Sequence, residues 1–464
     1  MKVVIAGYNI DSSLLNLSSQ HELSTPETIS AAYARISRSP KSVDLLRKEA
    51  LADVNKARKS NNSIVFEMGH ASVAEHAVFN FDIIGISRLL VETVQRTRLA
   101  SFTEKSQRYV TLTGDYHIPA EIIGTALESE FKEMIARQNL MYDELYHRSK
   151  KYLSEHDFPG STRELNGKAK EDARYVLALA TDTQFGMTIN ARSLERLLQR
   201  LDGNPLQEAK ELKLLLETEA KKIAPSLVRY TSCEDLAARL QIDHFEPKTS
   251  APDKSVHLLS ITSQAEERIL AGLLFENSGT DFSSALQWLL AMPASEKAAL
   301  YAQLFSDLKP WQRLPRAFEL VEAEFALTIS SSCFGQLKRH RMATQLRSPY
   351  HPLYGYVIPP LLLEINVFPQ IAELMEDVEH VYFKLEEHKK GLGSYILTNA
   401  HKLRVIFKAN LRELYHFSRL RSDEHAQWEI REISLEIDSI LKDKLPLAAE
   451  MLMGKDELIK KNRC

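Results

Sequence analysis

Cysteine is scarce in this chain: three occur in 464 residues, at Cys233, Cys333 and Cys464. So few and so scattered, they exclude a disulfide framework and a thiolate zinc site, and they suit a reducing cytoplasm. An excess of one charge is missing as well. With 59 basic against 62 acidic residues, bulk charge predicts neither a nucleic-acid coat nor a membrane-surface habit, so any anion site must come from local clustering. Long apolar runs are missing too. The opening Met-Lys-Val-Val-Ile-Ala-Gly-Tyr is far too short for a signal peptide or a membrane span. A soluble cytoplasmic protein with no membrane or nucleic-acid partner is expected, long enough for two or three domains with full-sized cores.

What is there is one motif written twice and incomplete each time. Arg96-Thr-Arg-Leu-Ala-Ser-Phe-Thr-Glu-Lys-Ser-Gln-Arg108-Tyr keeps a polar tail and lacks a central His, whereas Arg339-His-Arg-Met-Ala-Thr-Gln-Leu-Arg-Ser-Pro-Tyr keeps Arg-His-Arg and lacks the tail. The repeat is long and weak, with residues 1 to about 245 forming one unit and about 250 to 464 the other. Each opens with a strand-like run, Val3-Val4-Ile5 or Val256 to Ile261, and then turns helical. Each then has a period-two segment suited to a half-buried strand, from His76 in the first and from Glu319 in the second. A helix bearing Ile86, Leu90 and Val94, or Phe334 and Leu337, is expected to deliver the Arg motif at its C-terminal end. A long helical stretch should follow, containing Asn190-Ala-Arg-Ser-Leu in one repeat and Asn410-Leu-Arg-Glu-Leu in the other. From the motif to these asparagines is 94 residues in the first repeat and 71 in the second, which implies an insertion near Tyr142 to Arg163. The Pro-containing polar run from Phe245 to Lys254 reads as a domain boundary.

Lys338-Arg339-His340-Arg341 with Arg347 gathers five basic or titratable groups in ten residues. Planar Arg forks bind phosphate bidentately, so this reads either as a phosphorylated-ligand site or as a solvated helix end or nucleic-acid patch. Gly69-His70-Ala-Ser72-Val-Ala-Glu75-His76 looks like a metal site, but histidines six positions apart do not lie on one helical face. A turn feeding a strand is the plainer reading, and no metal is expected. The run from Arg421 through His425, Gln427, Trp428 and Glu429 fits helix capping as well as a polar pocket. Cys333 reads as a small core residue, since no base specific to it is evident.

Taken in order, Gly-His-x-Ser-x-x-Glu-His, Ser-Arg, the split Arg motif, Asn-Ala-Arg-Ser-Leu and His-Ala-Gln-Trp-Glu-Ile resemble the flavin-dependent thymidylate synthases, in a tandem two-copy form covering nearly the whole chain. The resemblance implies an α+β fold in each copy, a small mostly antiparallel sheet with long helices. It also implies FAD as cofactor, dUMP as substrate, and NADPH and methylenetetrahydrofolate as co-substrates. Family members are homotetramers with sites between subunits, so two copies of this chain should form a homodimer that rebuilds a pseudo-tetramer.

Carried over by position, Arg421 matches the arginine that activates the uracil ring, and Leu201 stands there in the first repeat with Arg200 one residue early. Gln336 and Arg339 match nucleotide-holding residues, where the first repeat has Thr93 and Arg96. The opposite wall matches Glu104, Ser106, Arg108 and Arg174 in the first repeat, against Arg347, Pro349, His351 and Ser394 in the second. Flavin contacts correspond to Arg339, His340 and Arg341, to Glu104, and to His70, Ser72 and Glu75. Asn190 with Arg192 and Asn410 with Arg412 match a further flavin-contacting element, so either repeat can supply it.

One complete site is therefore expected from complementary halves. A second class of site, from Arg96, Thr97 and Leu201 against Arg347, Pro349 and Ser394, is expected to be inactive. Three other readings stay open: a related flavoenzyme acting on another pyrimidine nucleotide, a non-catalytic nucleotide or flavin binder, and an RNA binder, for which the motifs carry few interleaved aromatics.

Overall fold

A computed structural model describes residues 1–15, 24–108, 110, 114–233 and 254–461. Tyr109, Cys464 and most of the boundary run from Phe245 lie outside the described residues. The elements of the first repeat are β1 (Lys2–Tyr8), α1 (Glu27–Arg35), α2 (Val43–Ala52), α3 (Val54–Asn61), β2 (Val78–Ser87), α4 (Arg88–Gln95), β3 (Ala100–Glu104), α5 (Ala126–Glu155), α6 (Thr162–Ala173), β4 (Asp182–Asn190), α7 (Ala191–Asp202) and α8 (Gln207–Ile223). The second has β5 (Val256–Ile261), α9 (Ala265–Ser278), α10 (Phe282–Ala291), α11 (Ala294–Phe305), β6 (Glu322–Ser330), α12 (Ser331–Leu337), β7 (Thr344–Arg347), α13 (Pro360–Glu364), α14 (Phe368–His388), β8 (Lys402–Asn410), α15 (Leu411–Arg421), α16 (Trp428–Lys444) and α17 (Lys455–Lys461).

Each repeat builds a four-stranded antiparallel sheet of the same topology, β1-β2-β4-β3 and β5-β6-β8-β7. The registers coincide: Val78 faces Asn190 in one sheet and Glu322 faces Asn410 in the other. Between these central pairs the difference lies at Gly85, whose φ of +71° accommodates a bulge between Ile84 and Ile86. Glycine adopts that backbone conformation without steric penalty.

Two sequence expectations need correction. Ile86 belongs to strand β2 rather than to the following helix. The stretch leading to Asn190 and Asn410 is not one long helix. It is broken by the central strands β4 and β8, and each Asn stands at a strand-to-helix junction. Strand wins there because Thr183, Phe185, Met187 and Ile189, like Leu403, Val405, Phe407 and Ala409, alternate inward with period two and are buried. Helix periodicity begins only after the asparagine, where Leu194, Leu197, Leu198 and Leu201 line the buried face of α7. A fully buried Leu or Phe of this kind contributes about 1.5–3 kcal/mol.

The chain forms two compact units, residues 1–247 with 359–398, and 248–358 with 399–464. Residues 359–398, second-repeat sequence, therefore pack within the first unit. The reason is visible along α14, which runs antiparallel to α5. Lys384 pairs with Glu130 and Arg137 with Asp377, while Arg148 reaches the Ile365 carbonyl. Between them Ile135, Met134, Met375 and Val378 are buried. Helix α6, residues 162–173, has no counterpart among the described residues of the second repeat. No helix among the described residues is long and apolar enough to cross a membrane.

Candidate active site

In the second unit, β6 ends at Ser330, whose hydroxyl caps α12 by accepting from the Cys333 N–H (3.0 Å). Glu429 of α16 holds that serine, accepting from its N–H (2.9 Å) and from its hydroxyl. The first repeat uses the same device: Glu208 of α8 accepts from the N–H and the hydroxyl of Ser87, both at 2.7 Å. Tyr395 also donates to Glu208 (2.7 Å). The helix that carries each Arg motif is thus fixed at its start by a buried carboxylate, so its last turn presents the motif from a rigid base.

The last turn of α12 brings Gln336, His340 and Arg421 together. Arg421, at the C-terminal end of α15, donates from Nη1 to Gln336 Oε1 (3.1 Å), from Nη2 to the Gln336 carbonyl (3.2 Å) and from Nε to His340 Nε2 (3.1 Å). Because guanidinium Nε always carries its hydrogen, His340 Nε2 accepts, and Nδ1–H points to Glu413 Oε1 at 3.2 Å. The His340 ring is 3% exposed and meets the edge of Phe417, centroids 4.9 Å apart. Burial, helped by the Arg421 charge and opposed by the Glu413 hydrogen bond, holds its pKa below the ordinary value. Arg339 is exposed beside it. Nη1 of Arg341 is buried without a hydrogen-bond partner among the described residues. Gln345 fixes the intervening turn, donating to the carbonyls of Leu337 (3.1 Å) and His340 (2.9 Å).

The first unit gathers a second group of charged side chains. Arg108 pairs with Glu171 (3.0 Å), its N–H donates to the Ser106 hydroxyl (3.2 Å), and Arg174 Nε donates to the Glu171 carbonyl (3.2 Å). Glu104 pairs with Arg88 and accepts from Gln95 (3.0 Å). Burial lowers the pKa of Arg174, and the neighbouring charges of Arg88 and Arg108 lower it further against Tyr175 and Glu171. Arg88 and Arg108, whose charges bear on the buried Arg174, make with it a group of three guanidiniums, a donor set suited to a dianion.

At the corresponding places each unit is altered. Arg200 of α7 donates to the Thr93 carbonyl (3.3 Å) and the Thr97 hydroxyl (3.2 Å), while Leu201 is buried in the core. Arg347 lies over the rings of Phe334 and Tyr350, 5.9 and 5.7 Å from their centroids, where the first repeat has its carboxylate.

The segment holding His70, Ser72 and Glu75 is a 3-10 turn, Ala71–His76, that feeds β2. His70 lies 3.3 Å from Arg38, and Glu75 pairs with Arg192. Arg412 repeats that pair with Glu319 (2.7 Å). Asn190 and Asn410 are helix N-caps, accepting from Ser193 (2.8 Å) and Glu413 (2.9 Å). Gln427 likewise caps α16. Cys333 is fully buried, and burial pushes its thiol well above the ordinary value, which disfavours the thiolate a nucleophile needs. Among the described residues, one group, Asp423, His425 and Asp456, has the spacing of metal ligands. Its carboxylates already accept the His425 and Asp456 N–H groups and pair with Lys455. Sequence reasoning missed Glu413, Gln345, Arg88 as a cradle member and Glu208, and it named Glu429 only within the run that fits capping or a polar pocket. A Glu 18 residues after Asn190 and another 19 after Asn410 was the signal for these two carboxylates.

A family profile described as "Thymidylate synthase complementing protein" matches residues 19–226 and again 258–447. A UPF0159 protein of Thermoplasma acidophilum is 27% identical over 444 residues, covering 85% of this chain and 88% of its own. A flavin-dependent thymidylate synthase of Clostridium tetani is 35% identical over 211 residues, 44% of this chain and 82% of its own. Among solved structures, a UMP/dUMP methylase of Streptomyces cacaoi aligns with 49% of this chain and 92% of its own, at 18% identity and a TM-score of 0.34. The Helicobacter pylori flavin-dependent thymidylate synthase complexed with FAD and dUMP aligns with 49% of this chain and all of its own, at 20% identity and a TM-score of 0.31. Matched twice along most of its length, the chain belongs to the thymidylate synthase complementing protein family, as two copies in tandem.

Proposed function

We propose that this protein methylates dUMP to dTMP with FAD, NADPH and methylenetetrahydrofolate, at a composite site whose two walls come from different repeats. The observation that carries this reading is the division of labour. The Gln336–Arg421–His340 arrangement stands only in the second repeat, and the Arg88–Arg108–Arg174 cradle with Ser106 and Glu104 only in the first.

Arg108, Arg174 and Ser106 hold the nucleotide phosphate by charge-assisted hydrogen bonds. Gln336 and Arg339 hold the nucleoside. Uracil C5 becomes nucleophilic as negative charge builds across N3 and the carbonyl oxygens, and the permanently protonated Arg421, held at three points, stabilises that charge. No cysteine has to attack C6, in keeping with the buried Cys333.

The donor set fits a flavin dinucleotide. Arg339 and Arg341 offer paired forks, and buried donors without partners among the described residues, Arg341 Nη1 and Arg192 Nε, suit a polyanionic ligand. His70, Ser72, Glu75, Asn190, Asn410 and Arg412 complete the flavin-holding set in this reading. Bound FAD supplies the electrons that reduce the transferred methylene to methyl. The assembly is a homodimer that makes a pseudo-tetramer, working in the cytoplasm.

The test is anaerobic conversion of dUMP to dTMP by purified protein supplied with FAD, NADPH and methylenetetrahydrofolate, with Arg421→Ala alongside. Turnover lost in the variant supports the reading. Bound flavin without dTMP formation overturns it in favour of another nucleotide or a binding role.

A further inference from the structure

We propose that Glu413 is a positioning residue for Arg421, acting through His340, and that this relay distinguishes the working repeat from the silent one. The inference rests on the reading of Arg421 as the group that bears on uracil. Glu413 sits in the first turn of α15 and Arg421 in its last, and His340 spans them from the turn after α12. The distances are 3.2 Å from His340 Nδ1 to Glu413 Oε1 and 3.1 Å from Arg421 Nε to His340 Nε2.

A neutral imidazole has two tautomers, and which one forms is set by the partner of the other nitrogen. Here Glu413 accepts from Nδ1–H, which leaves Nε2 bare for the Arg421 N–H. In the other tautomer Nε2–H would face the Nε–H of Arg421 in a buried setting, and the guanidinium would swing away from Gln336. No proton moves in this arrangement; the relay only fixes where each one sits. Phe417 and His416 pack against the ring, centroids 4.9 and 5.7 Å away, and restrict its turning.

The first repeat supplies an internal comparison. The three relay positions there are Ser193, Thr97 and Leu201. All three differ together, and the arginine that remains, Arg200, donates to a carbonyl and a hydroxyl. Glu413 also departs from the Asn-Ala-Arg-Ser-Leu element that the first repeat retains, so the carboxylate belongs to the second repeat specifically.

The experiment follows the His340 ring nitrogens by 15N NMR in the wild-type protein, E413A and E413Q, together with dUMP turnover. The wild type should show a protonated Nδ1 and a bare Nε2. E413A should lose that single tautomer and lower kcat about 10- to 100-fold with little change in KM for dUMP. E413Q, whose amide oxygen still accepts from Nδ1–H, should keep the tautomer and most of kcat. E413S, which writes the first-repeat residue into the second, should behave as E413A and serves if E413A does not fold. An unchanged tautomer and kcat in E413A overturns the proposal, and so does an equal loss in E413Q and E413A. A wild-type protein that turns over no dUMP sinks the synthase reading instead, and the NMR result still decides the relay.

Discussion

Arg200 and Arg421 perform one structural task from positions one residue out of step. Each guanidinium, at the end of the helix after the central strand, donates to the carbonyl of the residue three before the motif's first Arg, Thr93 in one repeat and Gln336 in the other. Only Arg421 also meets an imidazole and a side-chain amide. Arg421→Ala should therefore lower kcat for dTMP formation by about 10²–10³-fold. Arg200→Ala should leave kcat alone and cost about 1–3 kcal/mol of stability, through the buried Thr93 and Thr97 acceptors it leaves behind. Equal loss of turnover in the two variants would falsify the assignment of the working arginine to the second repeat.

The cradle in the first repeat predicts a phosphate-specific effect. Arg108→Ala removes one charged fork beside Arg174, and KM for dUMP should rise about 10- to 100-fold. Deoxyuridine, which has no phosphate, should bind as weakly to the variant as to the parent. Isothermal titration with both ligands separates these outcomes, and a parallel loss for deoxyuridine would place Arg108 against the base instead.

The repeat, weak over its length, was legible in the sequence because its two Arg motifs share spacing, and that spacing follows from one register, with Ser87 and Ser330 starting equivalent helices. That Gln336 and Arg421 belong to one wall came from the family resemblance, carried over by position, and their hydrogen bonds fit it. Strands β4 and β8 were not, because each runs directly into an amphipathic helix and the short alternation of Phe185, Met187 and Ile189 merges with the leucines that follow. Nor was the packing of residues 359–398 in the first unit, which depends on α5 and α14 covering one another's apolar faces 240 positions apart at the Arg137–Asp377 pair. Glu413 stayed hidden because nothing local marks a carboxylate whose partner, His340, stands 73 positions earlier.

The serine clamps predict a stability effect without chemistry. Ser330→Ala removes the cap of α12 and one donor to the buried Glu429. We expect a loss of about 2–4 kcal/mol by denaturant unfolding. Ser87→Ala should cost a similar amount in the first repeat, although Tyr395 still donates to Glu208 there. An unchanged midpoint in Ser330→Ala would show that Glu429 holds α12 by other means.

Behind Arg421, the hydroxyls of Ser418 and Ser422 donate to one oxygen of Asp438, at 2.7 and 2.6 Å. Burial outweighs those hydrogen bonds and pushes the carboxyl up to about 6. An unfolded aspartate titrates near 3.8, so between these values the folded chain holds a proton that the unfolded chain has released. The stability this group contributes is whole below about 3.8 and is lost as pH rises through 6. Above that the buried charge costs up to about 3 kcal/mol. Asp438→Asn keeps the shape without the charge, so its stability relative to the parent should climb from pH 5 to pH 7 and then level off. Urea unfolding across that range provides the measurement. A difference that stays constant with pH would mean that Asp438 is ionised throughout and that its two serines suffice to hold the charge.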